Sequence, residues 1–135
     1  MSLFIKTFII KYLFKTLDEN FIESVSMVDD SGRHTVCVSS QSGCNVGCDF
    51  CATAQMGLMK NLSTGEIIDQ LIIIRRLSNQ PINNVVYMGM GEPFLNYESV
   101  IKSANILNNK KGFNISSKKI TISTVGIAPK IKQFI

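Results

Sequence analysis

The sequence predicts an α/β fold in which a short β-hairpin precedes parallel strands that alternate with helices. Three observations predict it. Apolar and polar residues alternate along residues 11–28 around the turn-forming Asp18, Glu19 and Asn20, the period of two expected of half-buried strands. Two later segments carry the helical period, and one of them opens on Ser63-x-x-Glu66, the pattern of a reciprocal N-terminal cap. Around them lie three short runs, residues 35–39, 85–88 and 120–123, the second a continuous apolar run as expected of a strand covered on both sides.

The opening MSLFIKTFIIKYLF is an apolar run broken by Lys6 and Lys11. It has no small-residue cleavage site, and no stretch of the chain reaches the roughly 18 apolar residues of a membrane span, so it reads as a strand or a remnant of the start. Residues 11–28 then form the hairpin. Residues 35–39 are the first core strand, followed by a cysteine-rich loop. The capped helix places Ile67, Leu71 and Ile74 on one face with Ile68 and Ile72 beside them. After the second core strand, residues 85–88, a helix starting near Tyr97 turns Val100, Ala104 and Leu107 inward, and residues 120–123 are the third strand. Strand, helix, strand, helix, strand implies parallel neighbours joined by right-handed crossovers. The single histidine, His34, reads as a strand-edge residue without a role.

All the candidate chemistry follows the carboxyl ends of these strands. The cysteine loop follows the first, Gly89-Met90-Gly91-Glu92-Pro93 the second and Ser123-Thr124 the third. Barrels of alternating strands and helices carry their active sites at that rim, so the three segments should converge. Gly89 and Gly91 suit a backbone that a ligand approaches closely.

Of the four cysteines, Cys44, Cys48 and Cys51 fall within the run CNVGCDFC. Three thiolates so close suit a metal better than cross-links, in a reducing cytoplasm. A 4Fe–4S cluster normally takes four thiolates, so three leave one iron open to a ligand that is not protein. The alternative is a closed zinc site that adds Cys37 as a fourth thiolate. Its weakness is spacing, since only Cys48 and Cys51 form a C-x-x-C pair. Taken by itself, Cys37 also reads as an ordinary strand residue.

The net charge of +4 is uneven along the chain. Residues 1–100 hold seven Lys/Arg and ten Asp/Glu, whereas residues 101–135 hold seven lysines and no acid. Lys110, Lys111, Lys118 and Lys119 flank a predicted turn, where they either meet phosphates or form a solvated face.

The cysteine run with Phe50 before its last member, the longer CVSSQSGCNVGCDFCATAQMGLMKNL, and the later VVYMGMGEPFLN and TISTVGIAP together resemble the RlmN/Cfr family. The similarity runs from about Lys11 onward, with the blocks in the family's order. Members are radical S-adenosylmethionine (SAM) enzymes that methylate an adenine ring carbon in 23S rRNA and, in the RlmN branch, in some tRNAs. The resemblance implies a 4Fe–4S cluster on Cys44, Cys48 and Cys51, and SAM contacts from Phe50, Gly91, Glu92 and Ser123, with Glu92 accepting from the SAM ammonium. It also implies an electron donor such as flavodoxin and a cytoplasmic enzyme with no membrane role. Glu23, in an E-S-V segment, aligns with the family's proton acceptor. Cys37 aligns with the thiol that resolves a methylated-RNA adduct by forming a disulfide with a cysteine near the family's C-terminus, a residue absent from this chain. Carbon 2 is the expected target and carbon 8 the alternative; a radical SAM enzyme with another substrate is disfavoured by CVSSQ and by Ala52-Thr53-Ala54-Gln55.

A complete barrel takes about 250 residues, against 135 here. The chain ends at IKQFI, soon after Pro129 and without a glycine cap. The expectation is the N-terminal portion of a partial (β/α) TIM-like radical SAM barrel: residues 1–30 as an extension with the hairpin, and residues 31–135 as the incomplete core. Such a piece should expose an apolar edge and be inactive alone.

Overall fold

The computed structural model describes residues 8–44 and 57–126. Seven strands and two helices follow in the order β1 (Phe8–Lys15), β2 (Phe21–Val28), β3 (His34–Cys37), β4 (Gln41–Cys44), β5 (Gly57–Asn61), α1 (Thr64–Ser78), β6 (Asn84–Tyr87), α2 (Tyr97–Asn108) and β7 (Ile120–Ile122). Two 3₁₀ turns, Pro93–Asn96 and Ser117–Lys119, precede α2 and β7. The main sheet has the order β1-β2-β3-β6-β7, and β4 and β5 form a separate antiparallel ribbon. This is the α/β arrangement that the sequence predicts. The hairpin strands pair antiparallel with each other and with β3, while β3, β6 and β7 run parallel.

Local chemistry explains the boundaries. At the hairpin tip the Thr16 hydroxyl donates to the Asp18 carboxylate at 2.5 Å and accepts from Asn20 N at 3.0 Å, with Glu19 at φ 66°. The predicted cap of α1 is present in both directions: Ser63 Oγ accepts from Glu66 N at 3.1 Å and Glu66 Oε1 accepts from Ser63 N at 3.0 Å. Asn79 in the left-handed region (φ 54°) ends the helix. Among the described residues, no helix is long and apolar enough to cross a membrane.

One face of the main sheet packs under the helices. Ile22 from β2, Val36 from β3 and Val85 and Tyr87 from β6 meet Ile67, Leu71 and Ile74 of α1 and Val100 and Leu107 of α2. At about 25 cal/mol per Å² of apolar surface, a fully buried Leu or Ile contributes about 1.5–3 kcal/mol. Two expectations need correction here. Ser103, not Ala104, is the buried residue in the middle of α2, because the Tyr87 hydroxyl enters the core and needs a partner, met by Ser103 Oγ at 2.6 Å. His34 is no edge residue: β3 is the central strand, and His34 is fully buried with Nε2 2.6 Å from Ser26 Oγ and its main-chain N–H on Asn83 Oδ1 at 2.8 Å.

β1 is the opposite case. It is an edge strand, and Phe8, Ile9, Ile10 and Leu13 are all at least half exposed, an apolar edge of the kind open to pairing with another strand.

Candidate active site

The strand period of two sets the first part of the site. Because Ile22, Ser24 and Ser26 of β2 and His34 and Val36 of β3 point under the helices, Glu23, Val25 and Cys37 share the other, open face. Val25 is paired with Cys37, which makes Glu23 and Cys37 diagonal neighbours across two strands, about 7–8 Å apart at the backbone. The Glu23 carboxylate meets Lys11 Nζ of β1 at 3.2 Å, both side chains being well exposed. Cys37 is a half-buried free thiol, and that burial pushes its pKa up from the usual value.

The second part is a polar knot at the carboxyl ends of the parallel strands. Residues 39–41 leave β3 and are held from three sides. Gln70 reaches from α1, accepting from Ser39 N at 2.9 Å and from Ser24 Oγ at 2.5 Å, and donating to Ser39 O at 2.9 Å. Asn96 donates to Ser40 O and Leu62 O, each at 2.8 Å. The loop after β6 supplies Met90, whose carbonyl accepts from Ser40 N at 2.9 Å and Gln41 N at 3.1 Å, and whose N–H donates to Ser39 Oγ at 2.8 Å. Gln41 then links outward, accepting from Glu92 N at 2.8 Å and donating to Asn61 of β5 at 2.6 Å.

This closeness is what the glycines serve. A Cβ on Gly89 stands 2.7 Å from Val38 O and from Ser39 Oγ, and one on Gly91, at φ +99°, stands 2.5 Å from Gln41 Cβ. Besides any approach of a ligand, these glycines allow a tight approach of one loop to another.

Glu92 is buried, 3% exposed. Its Oε1 accepts from Thr124 Oγ1 and Val125 N, each at 2.6 Å, and its Oε2 accepts from Phe94 N. The carboxylate thereby ties the end of β6 to the end of β7. Ser123 donates its N–H to Tyr87 O at 3.4 Å and keeps an exposed side chain beside this junction. The ends of β3, β6 and β7 thus meet, while most of the cysteine loop expected to join them lies outside the described residues.

The third part begins at Cys44, the last residue of β4, whose backbone pairs with Gly57 of β5. The ribbon therefore closes the base of the loop between them. Cys48, Phe50, Cys51 and residues 52–55 lie outside the described residues, so the expectations for them are carried by the sequence alone. The donor set fits the groups the resemblance implies. Three thiols in one short loop suit iron, and a carboxylate with about four lone-pair sites, three of them engaged, can accept one more cationic donor.

Sequence reading missed Gln41, Gln70 and Asn96. Apart from a 3.4 Å bond from Gln70 to Glu66 O one turn back, their partners lie 20 to 56 residues away, so local spacing does not mark them. One signal existed: Gln70 interrupts the apolar face of α1 formed by Ile67, Leu71 and Ile74.

Comparison with known proteins extends the geometry. A family model described as the Radical SAM superfamily matches residues 38–135. The chain is 55% identical over 123 residues to a "Probable dual-specificity RNA methyltransferase RlmN" of Thermotoga neapolitana, covering 91% of this chain and 36% of that protein. Its similarity to the protein of the same description from Aquifex aeolicus is 51% over 125 residues, covering 92% and 36%. Among solved structures, a radical SAM methyltransferase from Sphaerobacter thermophilus aligns with a TM-score of 0.87 at 45% identity, over 93% of this chain and 38% of that one. The chain thus spans 36% of the length of these two curated relatives.

Proposed function

The chain belongs to the radical SAM superfamily, and from that premise we propose that the intact protein methylates an adenine ring carbon of RNA, carbon 2 of 23S rRNA with tRNA as a second substrate. The observation that carries the reading is the shared open face of Glu23 and Cys37 next to the rim where Glu92 joins the ends of β6 and β7. Similarity to relatives described as dual-specificity RNA methyltransferases supports the substrate class.

Cys44, Cys48 and Cys51 are the residues to hold a 4Fe–4S cluster, with Phe50 beside them. A cluster held there, reduced by a donor such as flavodoxin, would supply the one-electron chemistry that makes SAM a radical source. Glu92 offers its remaining acceptor capacity to the SAM ammonium, Ser123 a hydroxyl beside it, and Gly91 keeps the loop at the required closeness. Glu23 stands at the substrate face as proton acceptor. Cys37 acts last: its sulfur attacks the sulfur of the methyl-carrying cysteine found in longer family members, an S–S bond forms as the C–S bond to RNA breaks, and the electron pair leaves with the product. Desolvation favours the neutral form of the Cys37 thiol, so loss of its proton is part of that step, and the product carbon takes up a proton as it leaves. This chemistry belongs in a reducing cytoplasm.

The test is anaerobic reconstitution of the intact protein, with iron and sulfide analysis and mass analysis of the RNA product. Near-equal iron and sulfide that survive Cys37→Ala, together with 2-methyladenine made by the unsubstituted protein, support the proposal. Zinc without sulfide, lost in Cys37→Ala, refutes it in favour of a four-thiolate site, and 8-methyladenine moves the target to carbon 8.

A further inference from the structure

We infer that the end of the sheet opposite the catalytic rim is a second RNA contact, binding phosphates of the same RNA at a distance from the methylated base; this rests on the RNA-methylating reading above. Charge is segregated along the strand axis. Because β3, β6 and β7 are parallel, the loops that follow α1 and α2 both lie at the amino ends of the strands. There the structure gathers Arg75 and Arg76 from the last turn of α1, Lys110 and Lys111 from the turn after α2, and Lys118 and Lys119 from the 3₁₀ turn before β7, all of them exposed. The Arg75 guanidinium lies over the Phe113 ring, 4.5 Å from its centroid, which joins the first of these loops to the second. None of the six takes part in an ion pair among the described residues. Of the two acids in the neighbouring β2–β3 turn, Asp29 is held by Arg33 at 3.1 Å, which leaves the exposed Asp30 as a single opposing charge.

The rim end is the reverse. Asp18, Glu19, Glu66 and Glu98 gather at the hairpin tip and the helix starts. The lysines there are engaged: Lys15 meets Glu19 at 3.5 Å, and Lys60 meets Asp18 at 3.1 Å and Glu66 at 2.9 Å. A polyanion approaching the described surface therefore finds six of its seven unpaired cations at the far end, the seventh being Lys102 in the middle of α2. One exposed lysine is a solvated charge of no consequence, but six without interleaved acids make a field that neutralises phosphates and releases their counterions. The span is modest: 15 residues of α1 at about 1.5 Å each set the two ends about 22 Å apart. A large folded RNA reaches across that distance from the target base, and a hairpin trimmed to about four base pairs, at about 3 Å of rise per pair, falls short.

The experiment uses the holoenzyme carrying Lys110→Glu, Lys111→Glu, Lys118→Glu and Lys119→Glu, with the four Lys→Gln changes as a milder set should the first fail to fold. RNA affinity is measured against salt for a large folded target RNA and for a short target hairpin. The expected result is a salt slope for the large RNA reduced by about three, and affinity weakened about tenfold or more, with slope and kcat on the hairpin unchanged. An unchanged slope in a methylating variant overturns the second contact alone. Absence of RNA binding by the unsubstituted holoenzyme overturns the functional reading with it. Binding to anionic lipid vesicles that the substitutions abolish, with RNA binding untouched, assigns the surface to a membrane and also overturns the inference.

Discussion

Along β3 the residues alternate between two fates. Val36 is fully buried under the helices, while Cys37, the next residue, faces the open side with a half-buried thiol. β2 repeats the contrast with Ile22 and Glu23. On the covered face the side chains are Val, Ile and a few polar groups with partners in the core; on the open face Val25 stands among an acid, a thiol and, from β1, a lysine. A single backbone thus separates the residues that hold the fold from those available for chemistry. Substitutions one position apart should fail in different ways.

The largest effect is expected from Cys37→Ala, and it attacks the contrast directly. Turnover should cease while SAM cleavage continues, and RNA should remain attached to the intact protein as a band that shifts down on ribonuclease treatment. Stability should fall by only about 1 kcal/mol. Normal methylated product without an adduct would return Cys37 to the packing residues.

On the covered face, Leu71→Ala should cost about 2–5 kcal/mol in denaturant unfolding, with iron bound per folded molecule unchanged. A cost under about 1 kcal/mol would mean that this face is not the core.

A third effect lies at high pH. Burial pushes the Tyr87 hydroxyl up to about 12, with Ser103 opposing the shift, whereas an unfolded tyrosine ionises near pH ~10. The folded pKa is the raised one, so this contribution is complete below pH ~10 and is lost as pH climbs toward ~12, at most about 2–3 kcal/mol. Tyr87→Phe should flatten that limb at a cost of about 1 kcal/mol at neutral pH. Urea midpoints across the range distinguish the two profiles, and a limb that persists in the variant assigns it to another group.

The smallest effect belongs to the open face again. Breaking the exposed Lys11–Glu23 pair with Lys11→Ala should change stability by less than about 1 kcal/mol. Glu23→Gln should be equally mild for folding yet slow the methylation of RNA. Equal rates for Glu23→Gln and the unsubstituted protein would leave Glu23 as a surface partner of Lys11.

Much of the fold was legible because its signals are local. Alternation marked the hairpin, Ser63 and Glu66 marked the start of α1, and short runs marked β3, β6 and β7 to within two residues. The buried polar contacts were not legible. Tyr87 draws in Ser103 across a helix, and Gln70, Asn96 and Gln41 find main-chain partners in segments remote in sequence; spacing carries no trace of such pairs. His34 was misread for the same reason, since the β6 strand that encloses it comes 50 residues later. The glycines of the β6 loop were read with the right constraint, but the loop they approach, residues 38–41, was not legible, because a close approach looks the same in sequence whether the visitor is a ligand or another loop.

The knot around residues 39–41 also governs how this chain opens. The N–H groups of Ser39, Ser40 and Gln41 are donated to Gln70 of α1 and to Met90 of the β6 loop, so their protons meet solvent only when helix and loop part together. Their exchange with deuterium should then be as slow as that of the central strand and should track global unfolding, while the exposed turn around Gly32 exchanges early. Deuterium uptake at these three positions becomes an internal gauge of overall stability, readable without passing through any step of the chemistry.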